Sequence, residues 1–156
     1  MTREYPPRPI VGVGAVVLHG ERVLLIRRGK APGAGRWSLP GGAQKLGETV
    51  AEAARREVRE ETGAEVRVVG LLDVVDSIRP DGEGRVQYHY TLVDVLALAE
   101  SDRVAPGGDA ADAAWFRRDE LPALGLWSET TRMIDLGFAR RAAADQRSRN
   151  DSLMDE

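Results

Sequence analysis

Twenty-four residues, Gly41 to Ala64 (GGAQKLGETVAEAARREVREETGA), constrain this chain more than any other stretch. A glycine pair and a short polar loop lead to Thr49, and about thirteen residues of good helix-forming composition follow, up to Gly63. Thr49 reads as the N-cap of that helix and Gly63 as the residue just past its end. At 100° per residue, Val50, Ala53, Ala54, Glu57 and Glu61 share one stripe, with Glu60 on its edge. Arg55 and Arg59 fall on the opposite side. No basic residue of the helix shares the acidic arc, and Arg56 stands about 100° from Glu57. The face that should seek a core therefore turns acidic halfway along. Clustered like charges repel, and carboxylates pressed toward a core are costly unless paired or bound to a cation. Mg²⁺ or Mn²⁺, hard cations that take oxygen ligands, would resolve the conflict. A solvated acidic surface helix is the competing reading.

The spacing is more specific than the helix. Gly42, five residues, Glu48, seven residues, then Arg56-Glu57-Val58-Arg59-Glu60-Glu61-Thr62-Gly63-Ala64 matches G-x5-E-x7-R-E-U-x-E-E-x-G-U, where U is aliphatic. Ala64 is small for a U position, and the other fixed positions match. The chain thus resembles the Nudix hydrolases. The resemblance implies an α/β/α sandwich with a mixed sheet, the motif helix on one face and a C-terminal helix.

It also implies metal-dependent hydrolysis of a nucleoside diphosphate linked to another group, with no covalent enzyme intermediate. By position, Glu57 and Glu61 become the main ligands of Mg²⁺ or Mn²⁺. Glu60 binds directly or through water, and the carbonyl of Gly41 is a further ligand. Arg56 and Glu48 pair and orient Glu57. The general base lies among Glu60, Glu61 and a carboxylate of the 100–112 loop.

The rest of the chain supplies candidates for substrate contact. Ile10–Leu18 and Val23–Arg28 are β-branched and Leu-rich runs separated by His19-Gly20-Glu21, a hairpin signal. In the resembled family an arginine near the end of the second strand contacts phosphate, which here means Arg27 or Arg28. Ala31 to Gly42 (APGAGRWSLPGG) is rich in turn formers, and Trp37 reads as a packing residue rather than a base-stacking platform. Glu65–Val75 reads as a strand, Ser77–Gly84 as a loop, and Val86–Ala99 as the longest strand, with His89 at its middle as a possible substrate contact. Glu100–Asp112 is a polar loop, and Asp109 and Asp112 are its candidates for one more carboxylate at the site. Ala113–Arg117 is a short strand, and Ser128–Ala144 an amphipathic helix with Met133, Leu136 and Phe138 on its apolar side. The domain spans 1–144, beginning with an extended proline-rich arm (Met1 to Pro9), and is followed by a disordered polar tail, 145–156.

Composition bounds the partners. A net charge of −3 over 156 residues gives no electrostatic footprint for nucleic acid or an anionic membrane. The absence of cysteine excludes disulfides, zinc-thiolate sites and thiol nucleophiles. No apolar run approaches the ~18 residues of a membrane span, and no signal peptide is visible. A cytoplasmic enzyme, free or as a homodimer, acting on a small nucleoside diphosphate derivative is the expectation. In the ADP-ribose pyrophosphatase branch of the family a proline lies about sixteen positions past the motif, and Pro80 is sixteen past Ala64. That favours ADP-ribose, cleaved to AMP and ribose 5-phosphate. The alternatives are (d)NTPs or 8-oxo-nucleotides, nucleotide sugars or dinucleoside polyphosphates, and, more remotely, a non-catalytic ligand-sensing domain.

Overall fold

The structure, a computed structural model, describes residues 2–155; Met1 of the arm and Glu156 of the tail lie outside the described residues. Seven strands form one mixed sheet: β1 (Ile10–His19), β2 (Arg22–Arg28), β3 (Trp37–Ser38), β4 (Gly41–Ala43), β5 (Val66–Pro80), β6 (Val86–Ala99) and β7 (Ala110–Arg117). The order across the sheet is β3-β2-β1-β6-β5, with β4 also paired to β1 and β7 to β2. β1 and β6 run parallel and the other pairs antiparallel. Two helices, α1 (Val50–Thr62) and α2 (Ser128–Met154), complete the sandwich.

Strand alternation sorts the apolar residues onto two faces. Val13, Ala15 and Val17 of β1 pack with Ala53, Ala54 and Val58 of α1. Val16 and Leu18 pack the other way, against Met133, Ile134 and Phe138 of α2. Gly137 lets α2 approach closely, since a Cβ there would meet Val16 Cγ1 at 2.7 Å. Trp37 is a packing residue, edge-on to Phe116 with ring centroids 5.0 Å apart.

Three element boundaries differ from the sequence reading. β5 continues through Ser77 to Pro80, paired all the way along β6, and the turn shrinks to Asp81–Gly84. Of these positions only Ser77 is buried, and Ile78, Arg79 and Pro80 are exposed, so there is no strong apolar signal and strand pairing overrides weak local preference. β7 starts at Ala110, which places Asp112 opposite Arg27 in a ladder rather than in a loop. α2 runs on to Met154, ten residues beyond Ala144, through a segment with neither Gly nor Pro to stop it. Among the described residues no helix is long and apolar enough to cross a membrane.

Candidate active site

Helix α1 is pinned at both ends. The Thr49 hydroxyl accepts from the Glu52 N–H at 3.1 Å, and Gly63 adopts φ 73° and donates to the Arg59 carbonyl at 2.9 Å. The loop before β7 completes the C-terminal end. Ala105 N–H donates to the Thr62 carbonyl at 2.9 Å and Gly107 N–H to the Glu61 carbonyl at 3.1 Å. These bonds satisfy carbonyls that a helix end otherwise leaves open. Gly107 has to be this small, because a Cβ there would stand 2.6 Å from the Glu60 carbonyl oxygen.

Arg56 corrects the helical-wheel expectation that no basic residue shares the acidic arc. Its Cα does lie off the stripe, but its side chain is long enough to bridge the gap. Its Nε donates to Glu48 Oε2 at 2.5 Å and one terminal nitrogen to Glu48 Oε1 at 2.9 Å. The same nitrogen reaches the Ala43 carbonyl at 3.1 Å, while the other donates to Glu57 at 2.8 Å and Glu60 at 3.3 Å. One planar fork thus ties the loop, the strand and two carboxylates of the stripe together. Hydrogen bonding to Arg56 holds the Glu48 carboxyl down at about 2.

Glu61 is handled differently. It is 5% exposed and accepts from the Gly41 N–H at 2.7 Å, with no basic side chain among the described residues bonded to it. Burial pushes its pKa up to about 7, against the opposing pull of the Gly41 hydrogen bond. The glycine pair makes this crowding possible. A Cβ on Gly42 would stand 2.5 Å from Glu57 Oε1, and one on Gly41 would run into the Val13 carbonyl.

These groups form one wall of a cleft of about 760 Å³. Gly41, Arg56, Glu57, Glu60 and Glu61 line it, as do Arg28 and Asp109. Arg28 Nε donates to the Pro32 carbonyl at 2.7 Å, and no partner among the described residues takes its terminal nitrogens. Asp109 pairs with Lys30 at 2.9 Å. Glu48 acts from behind, through Arg56.

Four expected substrate contacts are not brought into the lining. Arg27 points out from β2 opposite Asp112, and the Asp112 carboxylate accepts from its neighbour, the Ala113 N–H, at 2.8 Å. Pro80 sits exposed at the tip of the β5–β6 hairpin, and His89 lies half-buried in β6 opposite Ile78. Ser77 and Arg79, strand residues beside Pro80, do line the cleft. Sequence reasoning missed Asp94, a buried acid in the cleft. Its signal was a lone carboxylate in the otherwise apolar run LVDVLALA.

The donor chemistry suits a hard divalent cation: three carboxylates beside a backbone strand, one of them buried without a cationic partner. Among the described residues no three acidic or histidine side chains are gathered closely enough to hold an ion. Arg56 holds Glu57 and Glu60 instead.

Comparison with known proteins places the chain. The family model described as the NUDIX domain matches residues 8–136. The ADP-ribose pyrophosphatase of Methanocaldococcus jannaschii is 37% identical over 118 residues, covering 76% of this chain and 68% of that protein. The human 8-oxo-dGDP phosphatase is 30% identical over 147 residues, 89% of this chain, which spans only 44% of that longer protein. Among solved structures, the MutT NUDIX hydrolase from Burkholderia pseudomallei superposes with a TM-score of 0.71 at 35% identity, over 83% of this chain and 98% of that one.

Proposed function

The chain belongs to the Nudix family and is a Nudix pyrophosphohydrolase, and from that premise we propose that it hydrolyses ADP-ribose to AMP and ribose 5-phosphate with the help of Mg²⁺ or Mn²⁺. The observation that supports this substrate is the likeness to the archaeal protein named ADP-ribose pyrophosphatase, 37% identical over most of this chain. Pro80, outside the cleft, supports the reading as a branch marker and not as a contact. The 8-oxo-nucleotide reading is favoured by likeness to relatives such as the human 8-oxo-dGDP phosphatase.

In this reading Glu57, Glu60, Glu61 and the Gly41 carbonyl hold the cation. When bound there, a divalent cation offsets the charge of a diphosphate and makes water a better nucleophile near neutral pH. The chain's own residues do the positioning. Glu48 fixes Arg56, and Arg56 keeps Glu57 and Glu60 at the cleft wall, from which side-chain rotation would bring them onto a cation. Gly41 N–H keeps the buried Glu61 carboxylate in place. Arg28 offers its free terminal nitrogens to a phosphate, for which the guanidinium fork is suited. A carboxylate of this cluster takes the proton of the attacking water.

A panel of ADP-ribose, 8-oxo-dGDP, nucleotide sugars and dNTPs, assayed with Mg²⁺ and with Mn²⁺ and resolved by chromatography, tests the choice. ADP-ribose is expected to show a kcat/KM at least ~10-fold above that of any dNTP, about 1.4 kcal/mol in transition-state binding. Preferential hydrolysis of 8-oxo-dGDP or a triphosphate would overturn the substrate and leave the enzyme class standing.

A further inference from the structure

A second buried carboxylate lies on the same row of the sheet and takes no part in the chemistry above. In register, Asp94 on β6 stands beside Gly14 on β1, and Gly14 beside Gly41 on β4. Neighbouring strands are about 4.8 Å apart, so Asp94 stands roughly 10 Å across the sheet from Gly41, whose N–H binds Glu61. That is comparable to the distance from the edge of a purine to its 5′-phosphates.

Asp94 is 5% exposed and lines the cleft. Among the described residues no side-chain polar atom that is fully enclosed lacks a partner. No protein donor there hydrogen-bonds the Asp94 carboxylate, so its oxygens open onto the cleft. Arg132, the basic group nearest in effect, is already bonded to Asp73 at 2.9 Å and to Glu129 at 2.7 Å. Gly14 reserves the space, because a Cβ there would collide with Asp94 Oδ1.

Leaving a buried carboxylate without donors costs of order 1–3 kcal/mol or more, and burial holds its pKa up to about 6. A ligand that brought N–H groups would relieve that cost. The lining around it is apolar and aromatic at Leu39, Tyr90, Leu92 and Trp127, with the polar Glu129 and Thr130 of α2 among them. An acceptor set among apolar walls suits a flat heteroaromatic ring with donors along one edge. It repels phosphate, and the two carboxylates that act on it, Asp73 and Glu129, are tied to Arg132, so no cation-holding cluster forms there among the described residues.

We propose that Asp94 is the nucleobase-binding residue of the cleft, its carboxylate accepting the N–H donors of a purine whose diphosphate extends toward α1. The proposal rests on the pyrophosphohydrolase reading for its substrate class. The shared chemistry is a purine N–H edge: adenine presents its 6-amino group, guanine N1–H and the 2-amino group.

The test is calorimetric binding of AMP and GMP, without metal, to the wild type, Asp94→Asn and Asp94→Ala, with ribose 5-phosphate as the base-free control. The wild type is expected to bind at least one purine nucleotide, the preferred one identifying the edge read. Asp94→Asn, which keeps shape and removes a buried charge, should weaken that binding ~10-fold or more, about 1.4 kcal/mol, with the control unchanged. On the enzyme, the same variant should raise KM for the purine substrate and leave kcat within about twofold, as loss of uniform binding requires. If Asp94→Ala does not fold, the Asn variant carries the test. Equal affinities in wild type and Asp94→Asn, or a wild type that binds neither nucleotide, would sink the proposal. A protein that hydrolyses no diphosphate yet loses purine binding in Asp94→Asn would overturn the hydrolase reading and keep the base site.

Discussion

Glu61 and Asp94 are both 5% exposed, and both titrate well above an ordinary carboxylate because they are buried. They stand near opposite ends of one sheet row, yet their surroundings are unlike. Glu61 has a backbone donor at 2.7 Å and shares its helix with Arg56, which bonds three other carboxylates. Asp94 has glycine on one side, mostly apolar walls that also carry Glu129 and Thr130, and no hydrogen-bond donor to its carboxylate among the described residues. The first end of the cleft arrives with its geometry held by the protein. The other end leaves its hydrogen bonds for a ligand to make. The difference separates a place that does chemistry, where pre-organisation matters most, from a place that recognises, where an unmet acceptor penalises the wrong ligand.

The largest expected effect falls at the organised end. Glu57→Gln or Glu61→Gln should lower kcat by ~10²-fold or more if a cation ligand is lost. The two should then part company in metal-free thermal melts. Glu61→Gln removes a buried charge and should melt higher, whereas Glu57→Gln gives up the charge that strengthens its 2.8 Å bond from Arg56 and should not. Full activity of both variants would end the assignment of this wall as the cation site.

Arg56→Ala comes next. It releases Glu48, Glu57 and Glu60 at once, and should cost ~10–100-fold in activity together with apparent metal affinity. Unchanged turnover and an unchanged metal titration would reduce the network to a surface salt bridge.

The smallest effect is a pH slope in stability. The folded pKa of Asp94, about 6, lies above the model-compound value of 3.8. Between those values the native state keeps a proton that the unfolded chain has released. This contribution is therefore fully present below about pH 4 and is lost as pH rises through 6. The ceiling is about 3 kcal/mol, and relaxation around the group should bring it nearer 1. Denaturation of the metal-free protein at a series of pH values should show the Asp94→Asn advantage growing from pH 4 to pH 7. A pH-independent difference would mean that Asp94 is better solvated than its burial implies. Glu61 has the same sign up to about 7, so the double variant should be flatter still.

The organised end could be read from the chain because its information is local. The caps at Thr49 and Gly63, and the spacing of Gly42, Glu48 and Glu57, lie within one continuous stretch, and the structure has helix α1 between those caps. What escaped depends on distance in sequence or on side-chain reach. A wheel places Cα atoms and says nothing of a guanidinium that spans three side chains, so Arg56 looked remote from the arc. Asp94 gains its meaning only from lying beside Gly14, eighty positions earlier, a pairing that no periodicity announces. Asp112 and Ser77 changed from loop to strand residues because pairing with β2 and β6 extended the ladders. The choice between Arg27 and Arg28 needed the alternation of a real strand, which turns one into the cleft and the other out of it.

The loop that ends at β7 has a mechanical consequence. Its amides at Ala105 and Gly107 butt against the last carbonyls of α1, while the Thr49 side chain holds the first turn. Together they act as two end stops on a shaft, so α1 cannot slide along its axis without breaking hydrogen bonds at one end or the other. Whatever adjustment a bound ion or diphosphate demands must come from side-chain rotation. The cheapest such movement is available at Glu60, which lies on the rim, half exposed and held by a single 3.3 Å contact. The helix is thus a fixed rail, and the travelling parts are its carboxylates.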